Sequence, residues 1–130
     1  MSVRDGLHPD LLLAVDRVLE AMAADDAPMK IVQGVRTTEQ QQALYAKGRT
    51  EKGPKVTNCD GEMKRSNHQV KEDGYGHAVD CAFVGLEPFS ESHPWHLYGA
   101  AVREQGLAWG GDWKRFKDRP HAELPAAEEA

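Results

Sequence analysis

The chain lacks any excess of positive charge. Lys and Arg total 16 against 21 for Asp and Glu, a formal charge of -5 at pH 7. That balance argues against a nucleic-acid partner, whose binding needs a basic face. No apolar run approaches the roughly 20 residues of a membrane span. The opening Met1-Ser2-Val3-Arg4-Asp5 lacks the basic-then-apolar order of a signal peptide. The expectation is a protein made soluble in the cytoplasm, without a membrane anchor. Cysteine is scarce: Cys59 and Cys81 are not spaced as a zinc knuckle, and without a secretory signal they read as free thiols rather than as a disulfide. Internal repeats and a low-complexity core are also missing. At 130 residues the chain can bury one core but cannot hold a catalytic domain plus a separate binding module.

What is present reads as mixed structure. His8-Pro9-Asp10 puts proline where a first helical turn tolerates it, and Leu11, Val15, Val18, Leu19 and Met22 recur at helical spacing to about Ala24. After a break at 25–28, the stretch from Lys30 to Arg36 is short and β-branched enough to predict a strand. Thr38-x-x-Gln41 reads as a capping box opening a helix through Leu44 and Tyr45, which Gly48 can end. Arg36 then sits where a strand hands over to a helix. Residues 49–65 show no periodicity and two turn signals, Gly53-Pro54 and Asn58-Cys59-Asp60-Gly61, which predicts a long surface loop of the functional or mobile kind.

The second half follows the same mixture. His77 to Phe83 alternates as a strand, with His77, Val79, Cys81 and Phe83 on one face and Ala78, Asp80 and Ala82 on the other. Pro94 opens a helix through Leu97, Tyr98, Ala101 and Val102 that Gly106 closes. Leu107-Ala108-Trp109 begins a strand, Gly110-Gly111-Asp112-Trp113 turns, and His121 to Leu124 forms a last short strand. The reading is a single α+β domain over residues 1–124, with a small antiparallel sheet and about three helices, and a disordered tail over 125–130.

Asp80 is the residue least at home. A carboxylate on the small-residue face of a strand whose other face carries Val79, Cys81 and Phe83 needs a partner, either a metal or an ion pair. Taken singly, His68 is a loop histidine, His121 an edge-strand residue and Asp118 a solvated loop acid. Taken together, two imidazoles and one carboxylate are a common ligand set for catalytic zinc, because three protein ligands leave a fourth tetrahedral position open for water.

Four motifs in order, Gly34-Val35-Arg36-Thr37 with Gln41, Ser66-x-His68 with Gly76-x-Ala78-x-Asp80, Trp109-Gly110-Gly111-Asp112-Trp113, and Asp118-x-x-His121, closely resemble those of the VanY-like zinc peptidases. That family includes D-alanyl-D-alanine carboxypeptidases and L-alanyl-D-glutamate endopeptidases. The resemblance implies the fold shared with hedgehog-type domains and Zn2+ held by His68, Asp80 and His121. It makes Asp118 the general base and acid; Glu123, on the strand face of His121, is the alternative acid. It makes Arg36 and Ser66 substrate-binding residues, and leaves Gln41 and Trp109 to structure. The spacing departs once: Gln69 to Tyr75 separate His68 from Gly76 where the family has two residues. His77 thereby becomes a rival first ligand, which the strand alternation turns away from Asp80.

Within the family, the Gly-Gly-Asp-Trp turn before Pro120-His121 and the compact length look most like single-domain phage endolysins. These cut the peptide stem of bacterial peptidoglycan between L-alanine and D-glutamate. The implied setting is a monomer kept in the host cytoplasm until a holin opens the way to the wall. A D-alanyl-D-alanine carboxypeptidase is one alternative. A non-catalytic, zinc-containing binding domain of the same fold is the other.

Overall fold

The computed structural model describes residues 2–57, 59–62 and 64–125. Apart from Pro125, the expected disordered tail lies outside them, as do Asn58 and Met63 of the long loop.

The helical stripe predicted near the start is the buried side of α1 (Pro9–Ala24), where Leu11, Val15, Val18 and Met22 face inward. His8 caps it through Nδ1, which accepts from the Asp10 amide at 3.0 Å. The strand that follows, β1 (Met29–Gln33), is shorter than the predicted run to Arg36. From Gly34 onward the backbone turns to the loop around His68 instead, and the Arg36 amide donates to the His68 carbonyl at 2.7 Å. A Cβ on Gly34 would lie 2.0 Å from the Val3 carbonyl oxygen, so only glycine lets the N-terminal segment pass there.

The next helix, α2 (Thr38–Ala46), is capped one residue earlier than predicted. Thr37 is the cap, its hydroxyl accepting from the Gln40 amide at 3.0 Å while Gln40 Oε1 accepts from the Thr37 amide at 2.9 Å. Two consecutive threonines, each followed three residues on by a glutamine, make the frame ambiguous in sequence. The true frame frees Gln41 to point into the protein, where it is fully buried.

The remaining elements are β2 (Ala78–Phe83), α3 (Trp95–Glu104), β3 (Ala108–Trp109), a single 3-10 turn at Gly110–Asp112, and β4 (His121–Glu123). The four strands form one antiparallel sheet in the order β1-β2-β4-β3. This is the α+β architecture expected, with three helices and an antiparallel sheet. Val79, Cys81, Phe83, Ala122 and Trp109 join Leu11, Val15, Val18, Met22, Trp95, Tyr98 and Val102 in one core. Each fully buried aliphatic chain there contributes about 1.5–3 kcal/mol. The approach of α3 to the sheet depends on Gly99, whose Cβ would stand 2.4 Å from the Trp109 ring. Both cysteines are free, Cys81 in the core and Cys59 partly exposed. Among the described residues no helix is long and apolar enough to cross a membrane.

Candidate active site

Strand alternation and register together assemble the site. Val79 lies opposite Ala122 on the core side, so the next pair, Asp80 opposite His121, projects from the other side. On the far edge a bulge between Ile31 and Gln33 breaks the register. Ile31 still faces Cys81, but Gln33 comes opposite Asp80. The bulge thus re-aims a polar side chain toward the carboxylate.

His68 arrives from a loop made rigid by its own hydrogen bonds. The His68 amide donates to Ser66 Oγ at 3.1 Å, the Ser66 amide to Gln69 Oε1 at 2.9 Å, and the Gln69 amide to the Ser66 carbonyl at 3.0 Å. Gln69 itself is buried, and the segment from Val70 to Tyr75 then loops outward and closes on itself, the Lys71 amide donating to the Tyr75 carbonyl at 2.9 Å, before Gly76 rejoins the fold through the Gly6 carbonyl at 2.8 Å. The extra length is therefore absorbed outside the site. His77 stays outside too, its Nε2 2.7 Å from Asp73 Oδ2.

The three donor atoms make a nearly equilateral triangle. His68 Nε2 is 3.2 Å from His121 Nδ1 and 3.3 Å from Asp80 Oδ1, and His121 Nδ1 is 3.5 Å from the same oxygen. Ligands about 2.0–2.1 Å from a tetrahedral zinc ion stand about 3.3–3.4 Å apart, so the triangle has the size of one face of such a site. The far nitrogens fix the tautomers. His68 Nδ1 lies 2.9 Å from the Gly34 carbonyl and His121 Nε2 2.5 Å from Glu123 Oε1. Both partners only accept, so both far nitrogens carry protons, and the near ones face each other and Asp80, where a bound cation would take their lone pairs. Asp80 Oδ1 is buried and has no hydrogen-bond partner among the described residues, the imidazoles standing at ion-pair distance only. A buried carboxylate oxygen in that position is what a cation would satisfy.

The remaining site residues are placed with respect to this triangle. Asp118 Oδ2 is 3.9 Å from His121 Nδ1. Its loop is pinned by the Asp118 amide, which donates to the Gly110 carbonyl at 3.0 Å. A Cβ on Gly110 would fall 2.3 Å from the Asp118 carbonyl oxygen and 2.8 Å from His121 Cβ, which explains a glycine in the Trp109–Trp113 motif. Trp113 leans on the His121 ring at 4.7 Å. Trp109 donates from Nε1 to the Arg119 carbonyl at 2.7 Å, a structural contact. Arg36 reaches toward Asp80 Oδ2 at 3.9 Å, its fork held by Gln41 at 2.6 Å and Gln33 at 2.9 Å. Gln41 also donates to the Cys59 carbonyl at 2.7 Å, so it ties the long loop to the site arginine. Ser66 lines the cleft, with its hydroxyl already accepting from His68.

Two residues do work that the sequence does not show. Gln41, structural by sequence, orients Arg36. Glu123, by sequence an alternative acid near the attacking water, holds His121 Nε2 and Asn67 Nδ2 with its two oxygens, the latter at 2.6 Å. The signal available was parity: Glu123 sits two residues beyond His121 on the same strand face.

The electrostatics suit this arrangement. Burial pushes the Asp80 carboxyl up, but the two imidazoles outweigh it and hold Asp80 well below the usual carboxylate range. Burial pushes His121 down, and Asp80 and Glu123 more than compensate, bringing it to about 9. A cation entering at Nδ1 would therefore displace a proton. Asp118 is raised by burial and then by the nearby Asp80 charge, which makes it a better proton acceptor than a free aspartate. Burial lowers Arg36 against the opposing pull of Asp80 and Asp118. All these groups open onto one cleft of about 600 Å³.

The family model described as D-alanyl-D-alanine carboxypeptidase, in peptidase family M15, matches residues 60–124. The peptidoglycan L-alanyl-D-glutamate endopeptidase CwlK of Bacillus subtilis (strain 168) is 31% identical over 128 residues, covering 95% of this chain and 77% of that protein. Among solved structures, the L-Ala D-Glu endopeptidase ChiX of Serratia marcescens matches with a TM-score of 0.63 at 25% identity, over 98% of this chain and 86% of its own. The vancomycin resistance D,D-pentapeptidase VanY, solved in complex with Zn(II), matches with a TM-score of 0.63 at 17% identity, over 94% of this chain and 74% of its own, a likeness of fold.

Proposed function

This chain belongs to the peptidase M15 family, and from that premise we propose that it is a zinc-dependent peptidoglycan peptidase that cuts the stem between L-alanine and D-glutamate. The observation that carries the proposal is the triangle of His68 Nε2, Asp80 Oδ1 and His121 Nδ1, with its buried carboxylate oxygen lacking a hydrogen bond. Zinc bound there would supply Lewis acidity to the scissile carbonyl and acidify the attacking water toward a pKa of about 7.

This chain's own residues do the rest. Asp118, beside His121 Nδ1, takes the proton of the attacking water and returns it to the leaving amine as the amide bond breaks. Arg36, preset by Gln33 and Gln41, binds a substrate carboxylate or the developing oxyanion. Ser66 keeps the His68 backbone in place and offers its hydroxyl proton to the cleft. The endopeptidase bond is favoured because CwlK and ChiX, the relatives with the higher identities above, are both named for it. The setting of a phage endolysin, stored in the host cytoplasm and released by a holin, rests on the likeness of Gly110–Trp113 and Pro120-His121 to that group.

The deciding experiment digests purified peptidoglycan with the zinc-loaded protein, with and without a chelator, and identifies the new termini by mass spectrometry. New amino-terminal glutamate, lost on chelation, is the expected result. Release of terminal D-alanine would replace the endopeptidase reading with the carboxypeptidase one, and no new termini would remove both.

A further inference from the structure

Although the molecule as a whole is acidic, the mouth of the site cleft is not. Of the charged groups that line it, the acids gather at the donor triangle: Asp80 belongs to it, Asp118 stands beside it, and Glu123 holds His121 and Asn67. Arg36, preset by Gln33 and Gln41, already has its role beside the donor triangle. That leaves Lys64, Arg65 and Arg115, all exposed, all on the cleft lining, and none in an ion pair among the described residues. Arg65 uses one nitrogen to reach the Gly61 carbonyl at 3.1 Å, which steadies its fork and leaves the rest free. Three unmatched cations around one opening in a chain of formal charge -5 are a local reversal of sign. Such a reversal concentrates and orients an anionic ligand.

We propose that Lys64, Arg65 and Arg115 form a carboxylate-binding subsite that selects stem peptides with a free carboxylate near the cut bond. This rests on the peptidase reading above and names the substrate class within it. A stem glutamate linked onward through its side-chain carboxyl keeps its α-carboxylate beside the scissile nitrogen, and a diamino acid in the next position can carry a second one. Amidation of the first, or loss of the second, removes the anion without altering the bond cut.

Three synthetic stems separate the cases: the parent peptide, the same peptide with the glutamate α-carboxylate amidated, and the same peptide whose next residue lacks its extra carboxylate. Cleavage rates are measured with the zinc-loaded protein, and binding by calorimetry with the slow Asp118→Asn variant. Loss of one carboxylate should lower kcat/KM roughly three- to tenfold, chiefly through KM, and whichever stem suffers identifies the carboxylate recognised. Arg65→Gln with Arg115→Gln should erase the difference, lowering the parent stem to the rate of the stem that lacks the recognised carboxylate, and raised salt should shrink it. Equal rates and affinities for all three stems would overturn the subsite and leave the peptidase reading intact. Failure to cleave any of them, with equal binding, would overturn both.

Discussion

Asp118 and Glu123 are both acids beside His121, and their surroundings give them different work. Burial and the Asp80 charge raise Asp118, whereas Glu123 spends both oxygens on His121 and Asn67. Asp118→Asn keeps the shape and removes the proton acceptor, so wall hydrolysis should fall roughly 10²- to 10⁴-fold with zinc content unchanged. Near-normal lysis with zinc retained would exclude Asp118 as the base. Glu123→Ala should act on the metal instead, weakening zinc affinity about 10- to 100-fold in a competition titration, because the imidazole loses the partner that fixes its tautomer. Glu123→Gln, which can still accept from Nε2, should recover much of that affinity.

At the scale of elements, the decisive pieces are a strand pair and a loop. Antiparallel pairing of β2 with β4 sets Asp80 against His121, and the loop before β2 folds its surplus residues outward so that His68 keeps its place. His68→Ala should therefore abolish stoichiometric zinc binding, while His77→Ala, which removes contacts to the exposed Asp73 and the His8 ring, should leave it intact. Metal analysis of the two purified variants distinguishes them, and zinc lost from the His77 variant alone would reassign the first ligand. The α2 cap makes a related point. A shift of one residue looks trivial in a capping motif, yet on a helix it rotates Gln41 by about 100°, and here that turns a surface amide into the group that holds Arg36.

Across the whole molecule, the three candidate metal donors come from a loop, a central strand and the last strand. A bound ion would cross-link those parts, so chelation should lower the melting temperature as well as activity. A melting temperature indifferent to zinc would argue against the site. A second global property follows from two buried acids in the core. Burial pushes the Cys81 thiol up to about 12 and the Tyr98 phenol well above its ordinary value, its hydroxyl donating to the Pro120 carbonyl at 2.8 Å. In the unfolded chain these groups ionise near about 8.5 and 10. Their contribution to stability is thus complete below about pH 8.5 and is lost as pH rises toward 12, because the unfolded state releases its protons first. Denaturant midpoints should decline above about pH 8.5, and a midpoint constant from there to pH 11 would contradict this.

The helices and the two faces of β2 were legible in the sequence, because each depends on neighbours along the chain, and the candidate trio His68, Asp80 and His121 was legible through its family motifs. Proline before a 3.6-residue stripe marks α1, alternation separates Val79 from Asp80, and short motifs carry His68, Asp80, Asp118 and His121. What sequence left open depends on contacts between distant segments. The choice of Thr37 over Thr38 as cap, the early end of β1 at its bulge and the commitment of Glu123 to His121 and Asn67 were settled only when the elements packed. Local periodicity says which side of a strand a residue occupies. Only tertiary pairing says what waits there, and hence which nitrogen of each imidazole carries its proton and which of two neighbouring acids remains free to accept one.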